Sequence, residues 1–231
     1  MSRVTYDAGQ FCLTVDDEGV ARALGDLARK TPAVLKVAIN RTARQARRDV
    51  ISAAEERYAL TTKGKARLRR LKQRRTATNT NLVAELRQDD KGLPLDYAYF
   101  EHTPRRVRKG MDAVRNSPEY HAARVLKRDS VKPLREERGR SKGFLVEFKS
   151  GHIGMVQRRL GVQSASSRTE RGYRRWRNKA GIVEHIETMQ RPGGSSMGRA
   201  VWERGVDETA AEHLERFVEQ RIREVIDRAQ T

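Results

Sequence analysis

Residues 143–159 read Gly143-Phe144-Leu145-Val146-Glu147-Phe148-Lys149-Ser150-Gly151-His152-Ile153-Gly154-Met155-Val156-Gln157-Arg158-Arg159. Phe144, Val146 and Phe148 alternate with Leu145 and Glu147, the period-two pattern of a half-buried strand. Lys149-Ser150-Gly151-His152 supplies turn residues, with Gly151 free to take a positive φ. Ile153, Met155 and Gln157 alternate again as the chain returns. The stretch therefore predicts a β-hairpin, and it is the strongest local strand signal in the chain.

Outward from the hairpin, alternation is weaker but present. Leu82, Ala84 and Leu86 mark a strand within 80–88, and Ala123, Val125 and Lys127 another within 121–128. Phe11, Leu13 and Val15 suggest an opening strand. Val20, Ala23, Leu24 and Leu27 fit a short helix ending near Lys30, with Asp16, Asp17 and Glu18 at its positive end. Thr31-Pro32 is a helix start, a capping hydroxyl followed by proline. From it Leu35, Ala38, Ile39, Thr42, Ala46, Val50, Ala53 and Ala54 recur at helical spacing, predicting a helix over about 32–58. Its opposite face carries Lys36, Arg41, Arg44, Arg47 and Arg48. Val206, Ala210, Leu214, Phe217, Val218, Ile222 and Val225 mark a closing helix over about 207–229. The expected fold is α+β and a single domain over 1–231: one antiparallel sheet centred on the hairpin at about 144–158, joined by the strands near 80–88 and 121–128, and packed by the two long helices. Long basic loops are expected as extended arms at about 103–119 and 161–181.

The 231 residues are 37% apolar and 34% charged, with a formal net charge of +19. A chain so basic has polyanions for neighbours, either nucleic acid or acidic protein, or uses the charge for solubility alone. The charge is concentrated. Lys63, Lys65, Arg67, Arg69, Arg70, Lys72, Arg74 and Arg75 occur within 61–75 without an acidic residue among them. Thr61 or Thr62 would cap a short helix there carrying Leu68 and Leu71. No aromatic residue interleaves to stack on bases, which argues against single-strand binding. A second cluster, Arg171, Arg174, Arg175 and Arg177, surrounds Tyr173 and Trp176. Both are candidate DNA-facing or neighbour-facing surfaces, and a solvated face is the plain alternative.

Catalytic constellations are missing from the pattern. His102, His121, His152, His185 and His213 have no metal-ligand spacing with one another or with Cys12, the single cysteine. Gly193-Gly194 lacks a P-loop lysine, and Ser164, Ser166 and Ser167 lack the strand–turn–helix setting of a nucleophile elbow. No catalytic residue, metal or cofactor is expected, and an enzyme is the disfavoured class. With no signal-peptide pattern and no run of roughly 20 apolar residues, the expectation is a protein folded in a reducing, soluble compartment without a membrane partner.

Several of these pieces together resemble the minor tail protein Z family of tailed bacteriophages, a group of tail completion or neck proteins. The matching residues are Ala38-Ile39-Asn40-Arg41-Thr42-Ala43, Gly92-Leu93-Pro94-Leu95, and above all Gly143-Phe144-Leu145-Val146 with Ser150-Gly151-His152-Ile153-Gly154 and Arg158. Pro192-Gly193-Gly194-Ser195-Ser196 departs in order from the family's Gly-Pro-Ser turn. The likeness spans about residues 20–228, and the hairpin is its specific part.

The resemblance implies a structural virion protein assembled in the host cytoplasm, a tail-completion or terminator-type component at the head–tail junction. The ring symmetry of phage tails implies a homo-oligomer, a hexamer, touching neighbouring neck and tail proteins around the DNA channel. The hairpin residues Phe144, Val146, Phe148, Ser150, Gly151, His152 and Ile153 are then the candidate subunit interface. The alternative is a sequence-nonspecific nucleic-acid-binding protein, motivated by the basic block. A nuclease, the third possibility, lacks metal ligands.

Overall fold

A computed structural model describes residues 3–7, 10–14, 17–88, 99–110, 121–131, 139, 141–163, 176–177, 183–188 and 193–230. It is α+β, with two long helices and small antiparallel sheets. Contacts gather the chain into two compact units, each assembled from separate segments. The first takes Met1–Glu55, Leu68–Leu93 and Gly193–Thr231, and the second Glu56–Arg67 and Pro94–Pro192.

In the first unit, β1 (Arg3–Asp7) and β2 (Gln10–Thr14) pair as a hairpin and lead to α1 (Asp17–Leu24). A 3-10 helix over Gly25–Lys30 runs straight into α2 (Thr31–Arg57). Thr31 is already in the helical region (φ −48°, ψ −50°). Its hydroxyl donates back to the Ala28 carbonyl at 2.6 Å instead of accepting an N–H, so it joins two helices where the sequence suggested a free cap. At ~1.5 Å per residue α2 is about 40 Å long. Val34, Leu35, Ala38, Ile39, Ala43, Ala46, Val50 and Ala54 are buried along it, the apolar stripe that the periodicity predicts.

The chain returns to this unit through β3 (Lys72–Arg75) and β4 (Glu85–Arg87), which extend the first hairpin into a sheet of order β1-β2-β4-β3. Near the C-terminus lie α4 (Gly194–Val201) and α5 (Asp207–Gln230), joined by a π turn at Trp202–Val206 in which Gly205 has φ 123°. Gly198 brings α4 close to α2: a Cβ there would lie 3.8 Å from Val50. Arg41 of α2 stacks on Phe217 of α5, 4.2 Å from the ring centroid, and donates to Gln220. His213 stacks on the same ring and places Nε2 3.4 Å from Asp49 of α2.

The second unit contains the quoted hairpin as β7 (Phe144–Glu147) and β8 (Ile153–Gln163), paired in the register Phe144↔Val156 to Glu147↔Ile153. Gly151 takes φ 77° in the turn. Phe148 lies across Gly154, where a Cβ would come within 2.7 Å of its ring. β9 (Trp176–Arg177) and β10 (Val183–Thr188) complete a sheet of order β7-β8-β10-β9. The hairpin is covered on both faces, not half-buried as its alternation suggested. Phe144, Val146 and Val156 cluster with Phe148 and Ile186 on one side. Leu145 and Met155 meet Val107, Ala123, Val125 and Ile153 on the other.

The strands form three separate sheets among the described residues, not the single sheet expected from the alternation. Residues 85–87 pair with β2 and β3, and β6 (Ala122–Arg124) pairs with β5 (Glu101–Thr103) in a sheet of its own. Among the described residues, the hairpin's neighbours are other segments. β10 occupies β8, and residues 108–109 run beside β7, with the Glu147 N–H donating to the Arg108 carbonyl at 3.0 Å. α3 (Thr62–Leu68) starts at Thr61, whose hydroxyl accepts the Gly64 N–H at 3.3 Å in the capping manner expected.

Candidate polyanion-binding surface

The basic block at 61–75 is divided by the fold. Lys63, Lys65 and Arg67 lie on α3 and belong to the second unit; Arg69, Arg70, Lys72, Arg74 and Arg75 belong to the first, and all five are exposed. What orders these five is α2. Arg47 donates from Nε to the Leu71 carbonyl at 2.6 Å and from Nη2 to the Arg69 carbonyl at 2.9 Å. Asn40 exchanges hydrogen bonds with the Ala77 backbone at 2.8 and 2.9 Å and accepts one from Gln73 at 3.1 Å. Arg69 reaches Glu55 at 3.0 Å. Contacts of 69 with 55, 71 with 47 and 77 with 40 lay this segment antiparallel along one stripe of the helix.

The stripe brings its own cations. Arg44 falls on it by helical spacing. Arg48, with Arg47, Ile51, Ser52, Glu55 and Arg69, lines an open groove of about 340 Å³. Arg48 is steadied by Gln45 one turn back. At the sheet end, Lys72 of β3 stands directly opposite Arg87 of β4, and both are exposed. Like charges placed opposite one another destabilise a strand pair. β3 is also the edge of its sheet, where lysine is a known device against unwanted pairing. Arg75 faces Glu85 in the same ladder. The result is a set of exposed cations on α2 and on the segment laid along it, whose acidic neighbours among the described residues include Glu55 in the groove and Glu85 in the ladder. Arg44, Arg47, Arg48 and Arg87 were not legible as part of it. The signal for the first three was their position on the polar face of a helix next to a basic segment.

The hairpin candidates separate differently. Phe144 and Val146 are buried inside their own unit, so they are core and not a presented interface. Phe148, His152 and Ile153 are half-buried, and the exposed tip is Lys149-Ser150-Gly151. Arg171, Arg174 and Arg175, like most of the 161–181 arm, lie outside the described residues; Arg177 is the second residue of β9. Of the 103–119 arm, Arg105, Arg106, Arg108 and Lys109 are exposed, and Lys109 sits 3.7 Å from Glu147.

Beneath the hairpin, His121 is buried and its Nδ1 accepts the Leu145 N–H at 2.7 Å. Burial, with Arg108 and His102 nearby, lowers its pKa from 6.5 to about 4. It is a neutral imidazole that satisfies a strand N–H, a structural role. Glu101 is held below the usual carboxylate range by its hydrogen bond from Arg124, its cross-strand partner. No group of three or more His, Cys, Asp or Glu among the described residues is arranged to hold a metal. None of the described helices is long and apolar enough to cross a membrane. Comparison with family models, curated proteins and solved structures finds no match.

Proposed function

We propose that this chain is a non-enzymatic structural protein of a tailed-phage virion, a tail-completion or terminator-type component that forms a homo-oligomeric ring, a hexamer, at the head–tail junction. The observation that carries the reading is the resemblance of Gly143-Phe144-Leu145-Val146 and Ser150-Gly151-His152-Ile153-Gly154 to the minor tail protein Z family. Its glycines have physical work in the hairpin: Gly151 takes the left-handed turn conformation and Gly154 leaves space for Phe148. Lys149, Ser150 and Gly151, exposed at the tip, are the part of the hairpin available to a neighbouring subunit. Mass spectrometry of purified particles is expected to find the chain in fixed copy number, and its deletion to leave heads and tails unjoined. Absence from mature particles, with infectivity kept after deletion, would overturn the proposal.

A second reading, sequence-nonspecific contact with nucleic acid, is favoured by the opposed Lys72 and Arg87 on an exposed sheet end. The two are compatible, since a conduit for a genome must accept every sequence. Steep loss of DNA affinity with added salt is its signature.

A further inference from the structure

The cationic face has a composition and a build that identify its partner more closely than net charge does. We infer that the α2 stripe and the 69–75 segment laid along it form one contact surface for the phosphate backbone of double-stranded DNA, and that Arg47 is the positioning residue that holds it together. The inference rests on the second reading above and does not require the virion assignment.

An interface for protein carries apolar or aromatic anchors at its centre, whereas DNA-binding surfaces are polar and strongly positive. Here the exposed residues of 69–76 are Arg69, Arg70, Lys72, Arg74, Arg75 and Thr76, with no aromatic among them. Single strands are gripped by stacking on aromatic faces, so duplex is the form that fits. Arg44 and Arg48 are one helical turn apart, about 6 Å along the axis. A duplex presents a negative charge about every 1.7 Å of its axis, so such a row meets phosphates in any register. No base-reading geometry is needed.

Arg47 spends its guanidinium on the Leu71 and Arg69 carbonyls, at 2.6 and 2.9 Å. It therefore fixes where Arg69, Arg70 and Lys72 stand relative to the helix, without being the cation offered to a ligand. Among the described residues Arg44, Arg70 and Lys72 enter no ion pair, and the Lys72–Arg87 opposition leaves positive potential uncompensated at the sheet end. A phosphate backbone would relieve that repulsion. The groove lined by Arg48, Ser52 and Arg69 offers the Ser52 hydroxyl and the Arg48 guanidinium to one phosphate, with Arg69 held at its rim by the Glu55 carboxylate. Lys63 and Lys65, by contrast, stand on α3 in the second unit.

The test uses the full chain and a 20-base-pair mixed-sequence duplex, followed by fluorescence anisotropy across a salt series. Replacing Arg44 and Arg48 together by Gln is expected to weaken binding about tenfold at low salt and to flatten the log–log salt slope by close to 2, from about 0.9 per phosphate contact. Lys63→Gln with Lys65→Gln is expected to stay within about twofold of the wild type. Arg47→Lys keeps the charge but not the two-carbonyl clamp, and is expected to weaken binding while leaving the slope nearly unchanged. Amine labelling of the unmodified chain is independent of variant folding: DNA is expected to shield Lys72 and leave Lys63 labelled. Shielding of Lys63 but not Lys72, or an Arg44/Arg48 variant within threefold of wild type, would overturn this surface while leaving DNA binding intact. Preference for single strands over duplex would overturn the duplex assignment. Displacement of the duplex by polyglutamate at equal charge would assign the surface to an acidic protein. If the wild type does not bind duplex at low salt, the nucleic-acid reading itself falls.

Discussion

At the residue scale, His121 has the clearest consequence. Its imidazole is neutral in the fold, with a pKa near 4, and reverts to about 6.5 on unfolding. Between those values the unfolded chain binds the extra proton, so stability falls as pH drops from about 6.5 towards 4 and is unaffected by this group above 6.5. The slope is at most about 1.4 kcal/mol per pH unit. Urea midpoints measured at pH 7, 5.5 and 4.5 are expected to show it, and His121→Asn, which keeps an acceptor for the Leu145 N–H, is expected to flatten the His121 contribution. Gly64 gives a second prediction: a Cβ there would stand 2.2 Å from the Tyr99 carbonyl oxygen, which cannot swing aside as a side chain tip can. Gly64→Ala is expected to cost on the order of 1–3 kcal/mol in chemical denaturation, as overpacking does. Gly151 was legible because a turn between two alternating runs asks for a glycine. Gly64 was not, because its reason is a carbonyl 35 positions away in the chain.

At the scale of elements, the long helices were legible nearly to the residue, since a 3.6 period sustained over 27 and 24 residues leaves no other reading. Sheet membership was not. The pairing of β10 with β8 jumps register between Glu184, opposite Gln163, and Ile186, opposite Arg158, and an interrupted ladder carries no simple alternation. With that partner hidden in sequence, the hairpin's edges looked open to strands that pair elsewhere. The contact of α2 with the 69–77 segment was equally hidden, because backbone carbonyls accepting from Arg47 leave no pattern in side chains. Arg47→Met is expected to destabilise the chain by about 1–3 kcal/mol, since hydrogen bonds to a charged donor are lost and two carbonyls are left to water. Thermal melts check it, and hydrogen exchange is expected to rise first across 69–77. In α5, Leu214 is fully buried, and Leu214→Ala is expected to cost about 2–5 kcal/mol by the same measurement.

At the scale of the whole molecule, the proposed ring makes a prediction separate from any single contact. Light scattering of the purified chain is expected to give a mass near six times 26.4 kDa, and charge reversal at Lys149 in the exposed turn is expected to shift it towards the monomer. A monomer at all concentrations, in the presence of its neck neighbours as well, would remove the ring. The two-unit arrangement, by contrast, concerns the life of the chain before any assembly. The backbone passes between the units four times, and the first is not complete until Gly193–Thr231 has been made. A ribosome thus releases all of the second unit while the apolar stripe of α2 still waits for α4 and α5. A chain halted before α5 leaves Arg41 and Asp49 of α2 without the Phe217 ring and the His213 imidazole they meet in the finished fold.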